Sequence, residues 1–382
     1  MSASLNPSAL SSLPPANEIP SAFAASMKQW WAAGEKQSVI SEERLLRRLP
    51  FFRKDASASV DGPVVAHSSR VELSTPKHYV NTFSITPASP SSTAPPPTVL
   101  LHGYGAGLGF YFQNFLPLAD WAGRRGSSVY ALDWLGMGRS ARVPFTVKAS
   151  RKDIPGRKMG LDKMTLVGHS LGAYFSVVYA LKYPTRVNKL ILLSPAGVPR
   201  GPDYSHMDLA GLTEPATAQK VQEIESRQRT VKAQESRTRK LFTYLWEEGW
   251  SPFQVVRSTM FWGPLIVGKY SSRRFTGLTP EETRDMHDYI LNITLAKGSG
   301  EMPIVDRISA LKIPVTFVYG DHDWMDPEGG VDSVERLRQA GNGQGRMYIV
   351  NNAGHHWRTV YLDNAKLVND LLLKELDRQP LV

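Results

Sequence analysis

Short apolar runs at 99–101, 129–132, 164–167, 190–193, 315–319 and 347–350 alternate with helical or glycine-rich stretches. This alternation limits the possible folds more than any other feature of the chain. A strand that is apolar throughout must be covered on both faces, and strands separated by helices run parallel. The pattern therefore predicts an α/β architecture: a mostly parallel central sheet with helices on both sides. The rhythm begins near Pro97 and breaks between Leu193 and Val315, where residues 206–308 read as a long, helical, charged insertion. Open α/β sheets bind ligands beyond the carboxyl ends of their strands, so a helical cap is expected over that edge. The resulting division is 1–60 (a flexible segment and helices), 61–199 (first part of the core), 200–308 (cap) and 309–382 (second part of the core).

Ahead of the alternation, residues 1–20 read as flexible. Helices are expected at 23–33, which holds the Trp30–Trp31 pair, and at 42–49, with Ser41 as its N-cap and Pro50 as its stop. Strand-like segments follow at 71–73 and 78–85, then a Ser/Pro-rich connection at 87–97. The 382 residues include no cysteine, which excludes disulfides and thiolate metal sites and fits a reducing interior rather than secretion. No window approaches 18 uninterrupted apolar residues, and the N-terminus lacks a secretory pattern. The formal charge of +10 suits anionic partners. No finger, RRM or helix-turn-helix pattern accompanies it, so nucleic acid is not the expected partner.

The chemistry concentrates in Gly168-His169-Ser170-Leu171-Gly172, which lies between the run at 164–167 and a helix-like stretch at 173–181. Small residues around a strand-to-helix turn allow a serine to project above the sheet as a nucleophile. The helix that follows favours negative charge at its N-terminus. Upstream, Leu101-His102-Gly103-Tyr104-Gly105-Ala106-Gly107 follows another strand, and the N–H groups of Tyr104 and Leu171 would form an oxyanion hole. His102 reads as a structural residue at the base of that loop. Asp133, which opens the glycine turn 133–140, reads as a loop brace. The triad acid should follow a late strand, which points to Asp323 with Asp321 and Asp326 as alternatives. The base should follow the last strand, which favours His355 over His356. No metal or redox cofactor is implied.

These residues resemble an α/β-hydrolase subgroup of lipid enzymes that includes lysophospholipases, N-acyl phospholipid hydrolases, a coactivator of triglyceride lipase and fungal mitochondrial cardiolipin deacylases. The resemblance runs from about Trp30 to the C-terminus and is most specific at 101–114, 130–140, 168–199 and 319–324. It implies a serine hydrolase of phospholipid or lysophospholipid acyl esters at a mitochondrial or cytosolic membrane surface. The coactivator branch carries asparagine where this chain has Ser170, which favours catalysis. Two departures stand out. Acyltransferase members place an aspartate four residues after the histidine, whereas Asp363 lies eight after His355. The basic stretch 143–160 contains Pro144 and Pro155 and shows no helical period, so a covering helix is missing and apolar sheet surface beside the nucleophile strand should be exposed. The rival reading is a non-catalytic lipid-binding coactivator of the same fold, or a defective isoform. Aromatic and aliphatic residues at 241–268, beside a basic stretch at 220–240, suit docking to an anionic membrane.

Overall fold

The computed structural model describes residues 13–54, 62–143, 160–198, 256–275, 277–296, 311–323, 325, 327–354 and 360–378. Eight strands form one sheet: β1 (Val64–Glu72), β2 (Tyr79–Pro87), β3 (Thr98–Leu101), β4 (Val129–Leu132), β5 (Met164–His169), β6 (Val187–Leu193), β7 (Val315–His322) and β8 (Gly345–Gly354). Their spatial order is β1-β2-β4-β3-β5-β6-β7-β8. β2 pairs antiparallel with both β1 and β4, and every pair from β4 to β8 is parallel. All six apolar runs are strands, and the mostly parallel sheet is the one their alternation predicted.

The strands read as apolar throughout because each feeds two cores. Leu100, Val167, Ile191 and Val318 face one layer, whereas Val99, Leu101, Leu166, Leu190, Leu192 and Phe317 face the other. That is the two-residue period of a pleated strand buried on both sides. The first layer is closed by α3 (Phe112–Arg125) and α8 (Ala365–Asp377), through residues such as Phe115, Trp121 and Leu372. The second is closed by α4 (Leu171–Lys182) and α7 (Pro327–Gln339), through Ala173, Ala180, Val334 and Leu337.

Near the N-terminus lie α1 (Phe23–Ala32) and α2 (Glu35–Leu46). α2 starts earlier than expected, and Ser41 is not its cap. Ser41 is buried in mid-helix, where its hydroxyl donates back to the Ser38 carbonyl at 3.1 Å. The buried residues of α2 are Ser38, Ser41, Glu42, Arg44, Leu45 and Leu46, four of the six polar, so a hydrophobic period does not reveal the first half of the helix. This polar stripe meets α6 (Pro280–Leu295), the second of two helices described within the predicted insertion; the first is α5 (Gly263–Arg274). Arg44 donates to Asp288 at 2.8 Å, and Arg48 Nε to Asp285 at 2.8 Å, all four side chains being buried. α6 opens with a capping box between Thr279 and Glu282.

Residues 144–159, where a covering helix seemed absent, lie outside the described residues. The exposed sheet surface expected there is not found. β3 and β5 are buried along their whole length because α4 lies over them. The exposure falls instead on the outer side of α4, at Phe175 and Val178. Among the described residues, no helix is long and apolar enough to cross a membrane.

Candidate active site

The parallel strands end at one edge of the sheet, and Tyr104, Ser170 and Asp323 lie just past the ends of β3, β5 and β7. Ser170 follows β5 and stands as the N-cap of α4 with φ 52° and ψ −115°. A non-glycine residue in that region is strained by about 1–3 kcal/mol and persists only where its surroundings impose it. Here both sides are tied to neighbouring backbone. The Ser170 N–H donates to Leu193 O at 2.9 Å, and its carbonyl accepts from Tyr174 at 3.1 Å and Ala196 at 3.2 Å. The glycines around it are steric requirements. A Cβ on Gly168 would lie 2.5 Å from the Ala173 backbone, and one on Gly172 would lie 2.6 Å from the His102 carbonyl oxygen. The chain therefore turns abruptly from strand to helix with the serine at the apex.

The loop after β3 closes over this apex. A Cβ on Gly103 would lie 3.0 Å from Ser170 Cβ and 2.7 Å from His169 Nδ1, so only glycine lets the backbone come this near the serine. Tyr104 is the next residue. Leu171 is the first residue of α4, and the N–H groups of a helix's first turn have no partner within the helix. His169 is buried, with its ring edge-on to Tyr361 at 5.0 Å, and Tyr361 stacks on Tyr111 at 4.5 Å.

His102 is fully buried, and burial lowers its pKa, so the ring is neutral. Its Nε2 accepts the Trp134 backbone N–H at 3.2 Å while Nδ1 sits 2.8 Å from Gly103 O. Both ring nitrogens are engaged, which makes it a loop support. Asp133 accepts the N–H groups of Leu108 (2.7 Å) and Arg139 (2.8 Å) and the side-chain amide of Asn81 (2.8 Å), bracing the loop that carries Tyr104. Two further supports were not legible in the sequence. The Tyr289 hydroxyl, from α6, accepts the Gly109 N–H at 3.1 Å. Glu42, from α2, is fully buried and pairs with Arg139 at 2.5 Å. A single tyrosine or glutamate in a helix gives no local sign of a long-range partner.

Asp323 follows β7, is buried, and accepts the Met325 N–H at 2.9 Å on one carboxylate oxygen. Asp321 is committed elsewhere. It accepts the Ala353 N–H at 3.1 Å and the His322 imidazole at 2.7 Å. Burial pushes its pKa up, but the N–H groups of Asn352 and Ala353 and His322 outweigh this and hold it below the ordinary carboxylate value. Asp326, His355 and His356 lie outside the described residues. The strand register still relates two candidates: His322 pairs with Gly354, so Asp323 and His355 each follow a residue of one paired position. Asp363 accepts the Gly354 N–H at 3.2 Å and is bridged by Arg274 at 2.5 Å. No cluster of potential metal ligands occurs among the described residues.

A strained serine at a strand-to-helix turn, on an eight-stranded sheet in this order, defines a hydrolase-type α/β protein. The family model described as the alpha/beta hydrolase fold matches residues 96–357, and the chain belongs to that family. Within it, the chain is similar to proteins with lipid-enzyme names. One is the 1-acylglycerol-3-phosphate O-acyltransferase of Arabidopsis thaliana, 28% identical over 370 aligned positions that cover 87% of this chain and 81% of the relative. Another is the human (lyso)-N-acylphosphatidylethanolamine lipase, 28% identical over 313 positions, 74% of this chain and 79% of the relative. A third is the human 1-acylglycerol-3-phosphate O-acyltransferase ABHD5, 27% identical over 301 positions, 72% of this chain and 75% of the relative. Among solved structures, naproxen esterase (carboxylesterase NP) from Bacillus subtilis shares the fold, with a TM-score of 0.52 at 17% identity over 90% of this chain and 97% of that one.

Proposed function

We propose that this chain is a serine hydrolase of acyl esters in phospholipids or lysophospholipids. The observation that carries the reading is the strained Ser170 backbone, held at the apex of β5–α4 with the glycine loop of β3 pressed against it. Ser170 Oγ attacks the ester carbonyl while His355 takes its proton, and the N–H groups of Tyr104 and Leu171 receive the developing oxyanion. One such donor contributes about 2.7–4 kcal/mol to the transition state. Collapse expels the lysolipid or glycerol alcohol, which recovers the proton from His355. Water then cleaves the acyl-enzyme by the same sequence in reverse. Asp323 orients the imidazole. β5 and β7, which lead into Ser170 and Asp323, are separated by β6 alone, roughly 10 Å in all.

The lipid character of the substrate draws on the names of the relatives and on the basic balance of the chain. Acyl transfer to a lysophospholipid hydroxyl, in place of water, is the second reading, favoured by the relatives named as acyltransferases. The test is fluorophosphonate labelling of the wild type, Ser170→Ala and His355→Ala, followed by product analysis on cardiolipin, phosphatidylcholine and lysophospholipids with and without an acyl acceptor. Labelling of the wild type alone, with release of free fatty acid, supports the hydrolase. Acylated acceptor in place of fatty acid supports transfer. A folded wild type that stays unlabelled sinks the serine mechanism and leaves the coactivator reading.

A further inference from the structure

Helix α1 is inside out. Its buried positions are Ser26 and Gln29, while Phe23, Met27 and Trp31 are exposed, Trp31 at 73%. Residues 23, 27 and 31 are four apart and form one stripe on the helix. The arrangement is not a loose end of chain. The Ser26 hydroxyl donates to Phe261 O at 2.5 Å and accepts the Leu265 N–H at 3.1 Å, and the Gln29 amide donates to Glu18 O at 2.6 Å. These bonds hold Ser26 and Gln29 inward beside the half-buried Trp30, which packs against Gly263 and Phe261, and so keep Phe23, Met27 and Trp31 outward.

The stripe continues onto a second element. The single turn Met260–Trp262 leads into α5, and its Met260 and Trp262 are exposed, Trp262 at 58%, together with Ile266 one turn further. Phe23 lies 4.8 Å from Trp262 and Trp31 lies 5.7 Å from Phe261, ring centroid to centroid. Aromatic side chains from two segments more than 200 residues apart thus meet in one continuous surface. The charges on these two segments have one sign, the exposed acids Glu18 and Glu35 lying beyond the ends of α1. Residues 23–32 and 256–275 contain no aspartate or glutamate, and Lys28, Lys269 and Arg273 are exposed on the same helices. Single exposed apolar side chains need no explanation, but a contiguous aromatic patch does. One rimmed by lysine and arginine has the composition of a surface that lies in the headgroup region of an anionic bilayer.

We infer that α1 and the 260–273 segment together form a membrane-docking face whose occupant is an anionic phospholipid bilayer. Phe23, Met27, Trp31, Trp262 and Ile266 would enter the interface, and Lys28, Lys269 and Arg273 would meet lipid phosphates. The inference extends the lipid reading given above but does not depend on the serine chemistry. α5 and α6 pack together, and α6 reaches the site loop through Tyr289, so docking would hold that loop toward the lipid.

The test is co-sedimentation of the full chain with vesicles of phosphatidylcholine, alone or with phosphatidylglycerol. The variants are Trp31→Ser/Trp262→Ser and, on the far exposed apolar site, Phe175→Ser/Val178→Ser. The tryptophan pair should weaken partitioning by about tenfold or more. Binding should strengthen with phosphatidylglycerol, weaken with salt, and be unchanged in the Phe175/Val178 variant. Equal partitioning of wild type and tryptophan variant overturns the proposal, as does failure of the wild type to bind either vesicle. So does a wild-type dimer that the tryptophan pair converts to monomer without loss of vesicle binding, because the patch would then join two copies. Ser170→Ala is run in parallel. If it sediments like wild type while no protein labels with fluorophosphonate, the docking face stands and the hydrolase reading fails.

Discussion

Replacing Gly172 by alanine tests whether the contact between α4 and the end of β3 holds the serine in place. The new Cβ would lie 2.6 Å from the His102 carbonyl oxygen and nearer still to that of Leu101, both backbone atoms, whereas real Cβ contacts begin at about 3.0 Å. No side chain can swing aside, so α4 must back away from β3 by several tenths of an ångström, toward 1 Å at Leu101. The helix N-terminus carries Leu171 N–H and Ser170 with it, while Tyr104 stays with β3. The two halves of the proposed oxyanion hole would therefore move apart. Misplacement of about 1 Å in such a site costs about a hundredfold in rate, so Gly172→Ala should label with fluorophosphonate roughly ten to a hundred times more slowly. The overpacking itself should cost about 1–3 kcal/mol in a denaturant melt. Gly343→Ala, where nothing lies within 4 Å of the added Cβ, is the control and should match wild type in both assays. If Gly172→Ala labels at the wild-type rate in a folded protein, the β3–α4 contact does not set the serine's geometry.

Tyr289→Phe keeps the ring beside Phe110 but removes the acceptor for the Gly109 N–H. The stranded donor should cost about 1–3 kcal/mol and slow labelling several-fold, measured by melt and labelling rate. Arg44→Met leaves the buried Asp288 carboxylate without its cation, the Asn17 amide still donating to it at 2.9 Å, and a urea melt should show a loss of about 3 kcal/mol. The double variant Arg44→Met/Asp288→Leu should recover most of it. Burial pushes the Glu42 carboxyl up to about 7, with Arg139 opposing and Asp133 adding to the rise. A raised carboxylate favours the fold while protonated, so its contribution is full below pH 4.5 and is lost as pH rises to about 7. The loss should come to about 3 kcal/mol, and Glu42→Gln should flatten that part of the stability–pH curve; coincident slopes would refute it.

What the sequence made legible follows from which forces act locally. Strand β4 was predicted with the bounds it has, and β5 and β7 with their first residues, because apolar runs buried on both faces are visible one residue at a time. β1 was largely missed. Its stretch Val64–Ser69 mixes valine with His67, Ser68 and Ser69, since one side of an antiparallel edge strand faces solvent. The elbow was readable because sterics force Gly168 and Gly172 on either side of Ser170, within five residues. Tyr289, Glu42 and the true start of α2 were not readable. Each owes its place to a partner far along the chain, and the buried stripe of α2 is polar.

The buried pairs Arg44–Asp288 and Arg48–Asp285 join residues 244 and 237 positions apart. On a ribosome adding about 5–20 residues per second, α2 would wait roughly 12–50 s for α6 to emerge. Through that interval Arg44 and Arg48 lack their carboxylate partners, and α1 has no Phe261 carbonyl to receive Ser26. The N-terminal helices are therefore made well before the helix that seats them, and their docking is a late step set by the arrival of α6.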